Sequence, residues 1–207
     1  MKDYIKKTVN FYNQNVDGYM QKTVNLQDKP WLNKFASYLP KKAKVLDIGC
    51  GYGRDTNFFV AKNFDAYGID LSPKMIAKAK KFSPLGKFSV MDMLKLKFDH
   101  DFFDGIWCSA TLPHLNKKDA VRAIKEIKRV LKKNGAFYLN LKEGKGEKLI
   151  ADSRYKNAKK FYSYYTQQEI KKILGRLKFK VIDFKLKRNP KEKYRNTGII
   201  YLIAKNT

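Results

Sequence analysis

Three aspartates and a run of glycines are the residues in this chain best suited to holding a ligand. Asp47 stands two residues ahead of Gly49-Cys50-Gly51-Tyr52-Gly53, Asp70 follows 23 residues later, and Asp92 sits between Met91 and Met93. Glycine serves where backbone takes positive φ or lies close against a ligand. A helix opening after such a turn aims its free N–H groups at whatever binds there. The spacing narrows the ligand. A dinucleotide fingerprint needs G-x-G-x-x-G, and here the third glycine comes one residue early; a Walker phosphate loop needs G-K-[ST], which is missing. Asp47 is poorly placed against a pyrophosphate and well placed against an ammonium group. An acid such as Asp70, ending a second strand, can accept two hydrogen bonds from ribose hydroxyls. Asp92 can take an adenine amino group while Met93 packs the ring.

His114, in the run Ser109-Ala110-Thr111-Leu112-Pro113-His114, is the candidate general base, because imidazole titrates near neutral pH; it can equally pack or cap a turn. With Cys108 it gives two metal-ligand types and no third, so no metal site is expected. Cys50 and Cys108 read as reduced thiols.

The elements that must position these residues follow from apolar spacing. Val45, Leu46 and Ile48 suit a buried parallel strand, and a helix starts at Arg54. Further strands are predicted over 65–71, 88–91, 104–109, 136–141, 179–187 and 198–204. Residues 1–27 read as one mostly polar helix. A second helix is capped by Asp28, carries Pro30 in its first turn and stops at Pro40. Ser72-Pro73 opens a helix through Lys80. Another runs from Asp119 to Leu131 and is ended by Asn134-Gly135. Thr166-Gln167-Gln168-Glu169 is a capping box for a helix through Leu174, and residues 142–165 show no clean period. Strands alternating with helices and closing on a hairpin describe a doubly wound α/β sheet in one domain, 1–207, with a helical cap over 1–40 and a substrate-side insertion over 142–165. Acids at three successive strand ends then face the ligand side of that sheet.

Composition bounds the partners. The chain has 207 residues, 43% hydrophobic and 14% aromatic, which suits a globular domain. The N-terminus MKDYIKKTVNFYNQ has no apolar core of a secretory signal, and the longest apolar run, Gly198–Ala204, is too short to cross a bilayer. With two cysteines the expected setting is the cytoplasm, off the membrane. The formal net charge is +26, yet only seven of the 45 basic residues are arginine, the residue with the bidentate fork that phosphate readers favour. Lysine-rich usage fits an AT-rich genome, and RNA stays among the possible partners because acids number only 19.

From Val45 to Leu141 above all, the chain resembles the class I S-adenosylmethionine-dependent methyltransferases, whose first motif is an acid followed by G-x-G-x-G. The resemblance implies a Rossmann-like sheet of seven strands in order 3-2-1-4-5-7-6 with the last antiparallel. It implies S-adenosyl-L-methionine as cofactor, S-adenosyl-L-homocysteine as product, and no metal. Asp47 and the glycine turn, Gly49, Cys50, Gly51 and Gly53, would hold the methionine part. Asp70, Asp92 and Met93 would hold the adenosine, Arg54, Leu71 and Met75 would be further cofactor-binding residues, and Ser109 and Ala110 would lie against the cofactor. Phe11-Tyr12-Asn13 with Asp17-x-Tyr19 looks like the entry helix of small-molecule methyltransferases, whose tyrosines close over the cofactor. The run Lys142-Glu143-Gly144-x-Gly146-Glu147, then Arg154, Tyr155, Tyr164 and Tyr165, resembles a bacterial subgroup, so His114, Arg154, Tyr155, Tyr164 and Tyr165 are candidate walls of a substrate pocket. SATLPHL is not the N-P-P-[YF] signature of amide or exocyclic amine methyltransferases. The expected activity is methyl transfer to a small-molecule acceptor by a monomer or homodimer. The alternatives are a tRNA or RNA methyltransferase working through the lysine-rich surface, and a non-methylating nucleotide or nicotinamide binder.

Overall fold

The computed structural model describes residues 1–152, 158–188 and 198–207. From the N-terminus, α1 (Asp3–Gln14), α2 (Val16–Thr23) and α3 (Lys29–Ala36) precede β1 (Lys44–Ile48). There follow α4 (Arg54–Ala61), β2 (Asp65–Asp70), α5 (Pro73–Phe82), β3 (Lys87–Val90) and β4 (Phe103–Cys108). A 3₁₀ turn (Leu112–His114) leads into α6 (Lys117–Val130) and β5 (Leu131–Lys142). The chain then forms β6 (Glu147–Asp152), β7 (Ala158–Ser163), α7 (Gln167–Arg176), β8 (Phe179–Lys187) and β9 (Ile199–Asn206).

Apolar side chains alternate along the central strands and divide between two cores. Leu46 and Ile48 of β1, Ile106 and Cys108 of β4, and Phe137 and Leu139 of β5 join α6 and α7 in one. Val45, Trp107, Ala136 and Tyr138 join α3 and α4 in the other, where the Trp107 and Tyr138 rings stack at 3.6 Å. Burial on both faces is what helices on either side of a parallel sheet produce. The seven-stranded sheet runs β3-β2-β1-β4-β5-β9-β8. With β6 and β7 set aside, this is the 3-2-1-4-5-7-6 order expected from the sequence. The pairings among β1 to β5 are all parallel, and β9 is antiparallel to both β5 and β8. The order reverses between β1 and β4, so their C-terminal ends open the crevice where such sheets bind ligands.

Four local readings change. The expected helix over 1–27 breaks at Asn15, whose backbone (φ −124°, ψ 23°) leaves the helical region. Asp28 precedes α3 without a capping hydrogen bond from its side chain. α6 starts earlier than expected, with Asn116 Oδ1 accepting from Asp119 N at 2.8 Å. It also ends earlier, because Leu131 turns extended to pair with Phe103, leaving Asn134 (φ 62°) to shape an irregularity in β5. The stretch without a clean period contains a separate two-stranded antiparallel sheet, β6-β7, which packs on α1. Ser72 and Thr166 do cap α5 and α7, accepting from Met75 N and Glu169 N. Among the described residues no helix is long and apolar enough to cross a membrane.

Candidate active site

The glycine turn after β1 is held by its packing. Gly49 has φ +71°, and a Cβ there would lie 2.1 Å from Thr111 Oγ1, so this residue lets the turn close against the loop after β4. Gly51 (φ +55°) is different, because a Cβ there would meet nothing within 4 Å. The space above Gly51 is a cleft of about 820 Å³ including its open mouth, within the usual range for small-molecule sites. Its floor is Ile48, Ile69, Leu71 and Met93, and its roof is α1 and α2 through Val9, Tyr12 and Tyr19. A smaller, more polar cleft adjoins it, sharing Tyr19, Gly49, Gly51, Ser109 and Ala110 and adding Asp47, Cys50, Arg54 and Asp55.

Asp70 ends β2 at the edge of the larger cleft. Its Oδ2 accepts from Gly51 N at 3.1 Å and its Oδ1 from Ser72 N at 2.8 Å, which fixes the carboxyl with further lone pairs to offer. Burial raises its pKa, opposed by those N–H donors. Asp47 is buried at the end of β1 and accepts from Thr56 Oγ1 at 2.7 Å; burial first, then the charge of Asp55, pushes its pKa up to about 8. Asp55 takes Arg54 through Nε at 2.8 Å and Nη2 at 3.2 Å, and Trp107 Nε1 at 3.1 Å. Arg54 Nη1 donates to the Thr23 carbonyl at 2.9 Å, tying α2 to α4.

At the other end, His114 is half-buried beneath α1. Its Nδ1 lies 2.8 Å from the Phe161 carbonyl and its Nε2 lies 3.0 Å from Tyr12 Oη. A carbonyl only accepts, so Nδ1 carries the proton and donates; in the neutral ring Nε2 then accepts from the Tyr12 hydroxyl. Burial lowers the pKa to about 4, with Lys160 and Lys142 pushing the same way and the Phe161 carbonyl opposing. The imidazole is therefore neutral at physiological pH, with its lone pair already engaged by a phenol.

The other residues singled out by sequence divide into two groups. Met93, Leu71, Ser109, Ala110, Tyr12 and Tyr19 line the larger cleft. Met75 is on the buried face of α5 and Gly53 packs against Phe88 and Ala79, both off the lining. Asp92 is also off it, its Oδ1 accepting from Leu94 N at 2.9 Å. Tyr164 and Tyr165 are buried and line neither cleft. Arg154 and Tyr155 fall outside the described residues. The Lys142–Glu147 run works as scaffold. Glu143 pairs with Arg188 at 2.6 Å, and Glu147 Oε1 accepts from Lys117 N at 2.7 Å, fastening β6 to the start of α6.

Sequence reasoning missed Ile5, Thr8, Val9, Thr111 and Leu115 on the lining. It also missed Asn140, whose Oδ1 accepts from Ala110 N at 2.5 Å and holds Ala110 at φ 55°. The apolar stripe of α1 was the signal for Ile5 and Val9, while nothing local marked Asn140.

A family model described as a methyltransferase domain matches residues 46–139, the segment from β1 through β5 that carries the glycine turn and the strand-end acids. Over this segment the chain is similar to the class I S-adenosylmethionine-dependent methyltransferases, which supports that family. It is 38% identical over 102 residues to the 2-methyl-6-phytyl-1,4-hydroquinone methyltransferase of Synechocystis, an alignment covering 47% of this chain and 31% of that protein. It is 29% identical over 144 residues to the putative methyltransferase YqeM of Bacillus subtilis, covering 66% of this chain and 58% of that one. The chain thus spans less than two thirds of the length of these curated relatives. Its fold is shared by the Burkholderia thailandensis 1,6-didemethyltoxoflavin-N1-methyltransferase, solved with 1,6-didemethyltoxoflavin and S-adenosylhomocysteine. That structure superposes with a TM-score of 0.74 at 22% identity, over 99% of this chain and 89% of that one.

The methyltransferase family's cofactor is S-adenosylmethionine, and the residues present fit it. Open space over Gly51, accepting lone pairs on Asp70, apolar Leu71 and Met93, and a buried carboxyl at Asp47 meet an adenosyl group joined to a cationic amino acid. Among the described residues no group of His, Cys, Asp and Glu is arranged to hold a metal.

Proposed function

We propose that this protein transfers a methyl group from S-adenosylmethionine to a small-molecule acceptor. The observation that carries the reading is the joining of the two clefts around Gly49, Gly51, Ser109 and Ala110, under a roof formed by α1 and α2. A roofed, largely apolar cleft ending at Tyr12 and His114 suits a small molecule better than a polynucleotide. One relative and one protein of the same fold support this class by what their names record, 2-methyl-6-phytyl-1,4-hydroquinone and 1,6-didemethyltoxoflavin.

When bound, the cofactor supplies an electrophilic methyl group on a sulfonium sulfur. The protein's contribution is then placement and exclusion of water. Asp70 receives the ribose hydroxyls, Leu71 and Met93 pack the base, and Asp47 faces the ammonium group. Tyr19 and Tyr12 close the roof. His114, neutral and donating to Phe161, fixes the Tyr12 hydroxyl at the acceptor end, so general-base catalysis by a free imidazole is not part of the reading.

Isothermal titration with S-adenosylmethionine and S-adenosylhomocysteine tests the cofactor site. Micromolar binding by the wild type and at least tenfold weaker binding by Asp70→Ala are expected, and no wild-type binding sinks the proposal. Methyl-labelled cofactor incubated with cell extract then tests the acceptor. Label in the small-molecule fraction supports it. Label in RNA, with binding that falls steeply with salt, makes the protein an RNA methyltransferase instead. Label in neither, with cofactor bound, makes it a non-methylating binder.

A further inference from the structure

We propose that Asp47 stands in the free protein as the neutral acid, and that S-adenosylmethionine, through its α-ammonium group, expels the carboxyl proton to solvent on binding. The inference rests on the methyltransferase reading above. Two buried carboxyls, Asp47 (2% exposed) and Asp55 (5% exposed), border the smaller cleft, and the guanidinium of Arg54 lines it with them. That guanidinium goes to Asp55, which Arg54 grips through Nε and Nη2 while Trp107 Nε1 and Gln27 Nε2 donate to the same carboxylate. Among the described residues, the side-chain hydrogen bond given to Asp47 is the one from Thr56.

The other groups facing Asp47 bring no compensating charge. Asp70 from β2 is a further acid, and Cys50 in the glycine turn and Cys108 at the end of β4 are thiols whose own ionisation burial and the nearby carboxyls disfavour. Arg54 pulls the other way, as does the Thr56 hydrogen bond, and the charge of Arg54 is engaged by Asp55. A carboxylate with one hydrogen bond, out of water and beside a second carboxyl group, is unfavourable, so the site holds its proton. An ammonium group entering the cleft supplies both the missing countercharge and a charge-assisted hydrogen bond. The balance is simple: the carboxyl O–H bond breaks, its proton passes to the buffer, and an N–H···O ion pair replaces it. No bond in the cofactor changes in this step.

Calorimetric titration with S-adenosylhomocysteine at roughly pH 6, repeated in buffers of different ionisation enthalpy, counts the protons. At that pH the ligand's own amine stays charged. The wild type is expected to release about one proton per molecule bound, and affinity should rise about tenfold from roughly pH 5 to pH 6. Asp47→Asn should release almost none. 5′-Methylthioadenosine, which lacks the amino-acid portion, should bind the wild type without release, an arm that needs no variant. Binding of S-adenosylhomocysteine without proton exchange overturns this proposal and leaves the methyltransferase reading intact. Equal release with 5′-methylthioadenosine traces the proton to another group and overturns it as well. No binding at all overturns both.

Discussion

Tyr12 Oη and His114 Nε2 lie 3.0 Å apart, and this bond joins a residue of the N-terminal helix to the turn after β4, 102 positions further along the chain. The phenol donates, because the Phe161 carbonyl fixes the ring proton on Nδ1. The bond shuts one end of the cleft, so Tyr12→Phe should open it. Loss of one such bond is worth about 0.5–1.5 kcal/mol, which corresponds to cofactor binding weaker by roughly 2- to 13-fold, measured by calorimetry. In ¹⁵N spectra the His114 Nε2 resonance should shift with the lost donor while Nδ1 stays protonated.

The same histidine makes stability depend on acid. Its folded pKa, about 4, is below the ordinary value near 6.5, so the unfolded chain binds more protons between these limits. Stability contributed by His114 is present above about pH 6.5 and is lost as pH falls toward about 4. A series of melting temperatures should show a smaller acid-side decline in His114→Gln than in the wild type. Parallel declines in the two proteins would show that the ring is not held neutral.

Asp47 acts with the opposite sign. Its folded pKa, about 8, exceeds the ordinary carboxyl value, so stability falls as pH rises from about 4 to about 8. Asp47→Asn should keep the Thr56 contact, melt higher than the wild type at neutral pH, converge with it near pH 4, and bind cofactor less tightly. A variant that melts lower at neutral pH would contradict the buried, proton-holding carboxyl.

Two glycines of one turn should fail in different ways. Gly49→Ala drives a methyl group into Thr111 at a left-handed backbone position, so unfolding should be easier by about 2–4 kcal/mol. At Gly51 the added methyl meets no protein atom, so the loss of stability should stay near the 1–2 kcal/mol of backbone strain while cofactor binding falls by an order of magnitude or more. Denaturant melts beside calorimetry separate the two.

Asp119 is fully buried at the start of α6, where it takes Lys2 Nζ at 2.7 Å and Tyr4 Oη at 2.6 Å, and Arg122 at 3.2 Å. These donors hold its pKa below the usual carboxylate value, against the opposing effect of burial, and they anchor the N-terminal end of α1. Asp119→Ala should release that end, so limited proteolysis is expected to cut within residues 1–15 of the variant before any cut in the wild type. Unchanged cleavage kinetics would remove Asp119 as the anchor of the roof.

Much of this architecture is local in origin and so was readable from the sequence. Periodic apolar residues set the strands and helices. Ser72 and Thr166 named their caps, and Asp47, Gly49, Gly51 and Asp70 marked the crevice, because a tight turn and a strand-end acid leave a signature within a few residues. The family resemblance supplied the strand order that the local patterns left open. What depended on contacts between distant segments was not readable. The β6-β7 sheet lacks a clean alternation because one of its faces packs on α1 and the other elements around it set its burial. Tyr164, Tyr165 and Met75 carry side-chain types suited to a binding wall, yet folding places them in the core. Glu143 and Glu147, part of a run that resembles a bacterial subgroup, prove to be struts once the chain is folded. The sequence determined that a ligand crevice exists at the end of β1. Only the tertiary structure decided that Arg54 serves Asp55, that Asp47 is left with a threonine, and that His114 is a neutral acceptor under Tyr12, because charge state follows from burial and from partners far along the chain.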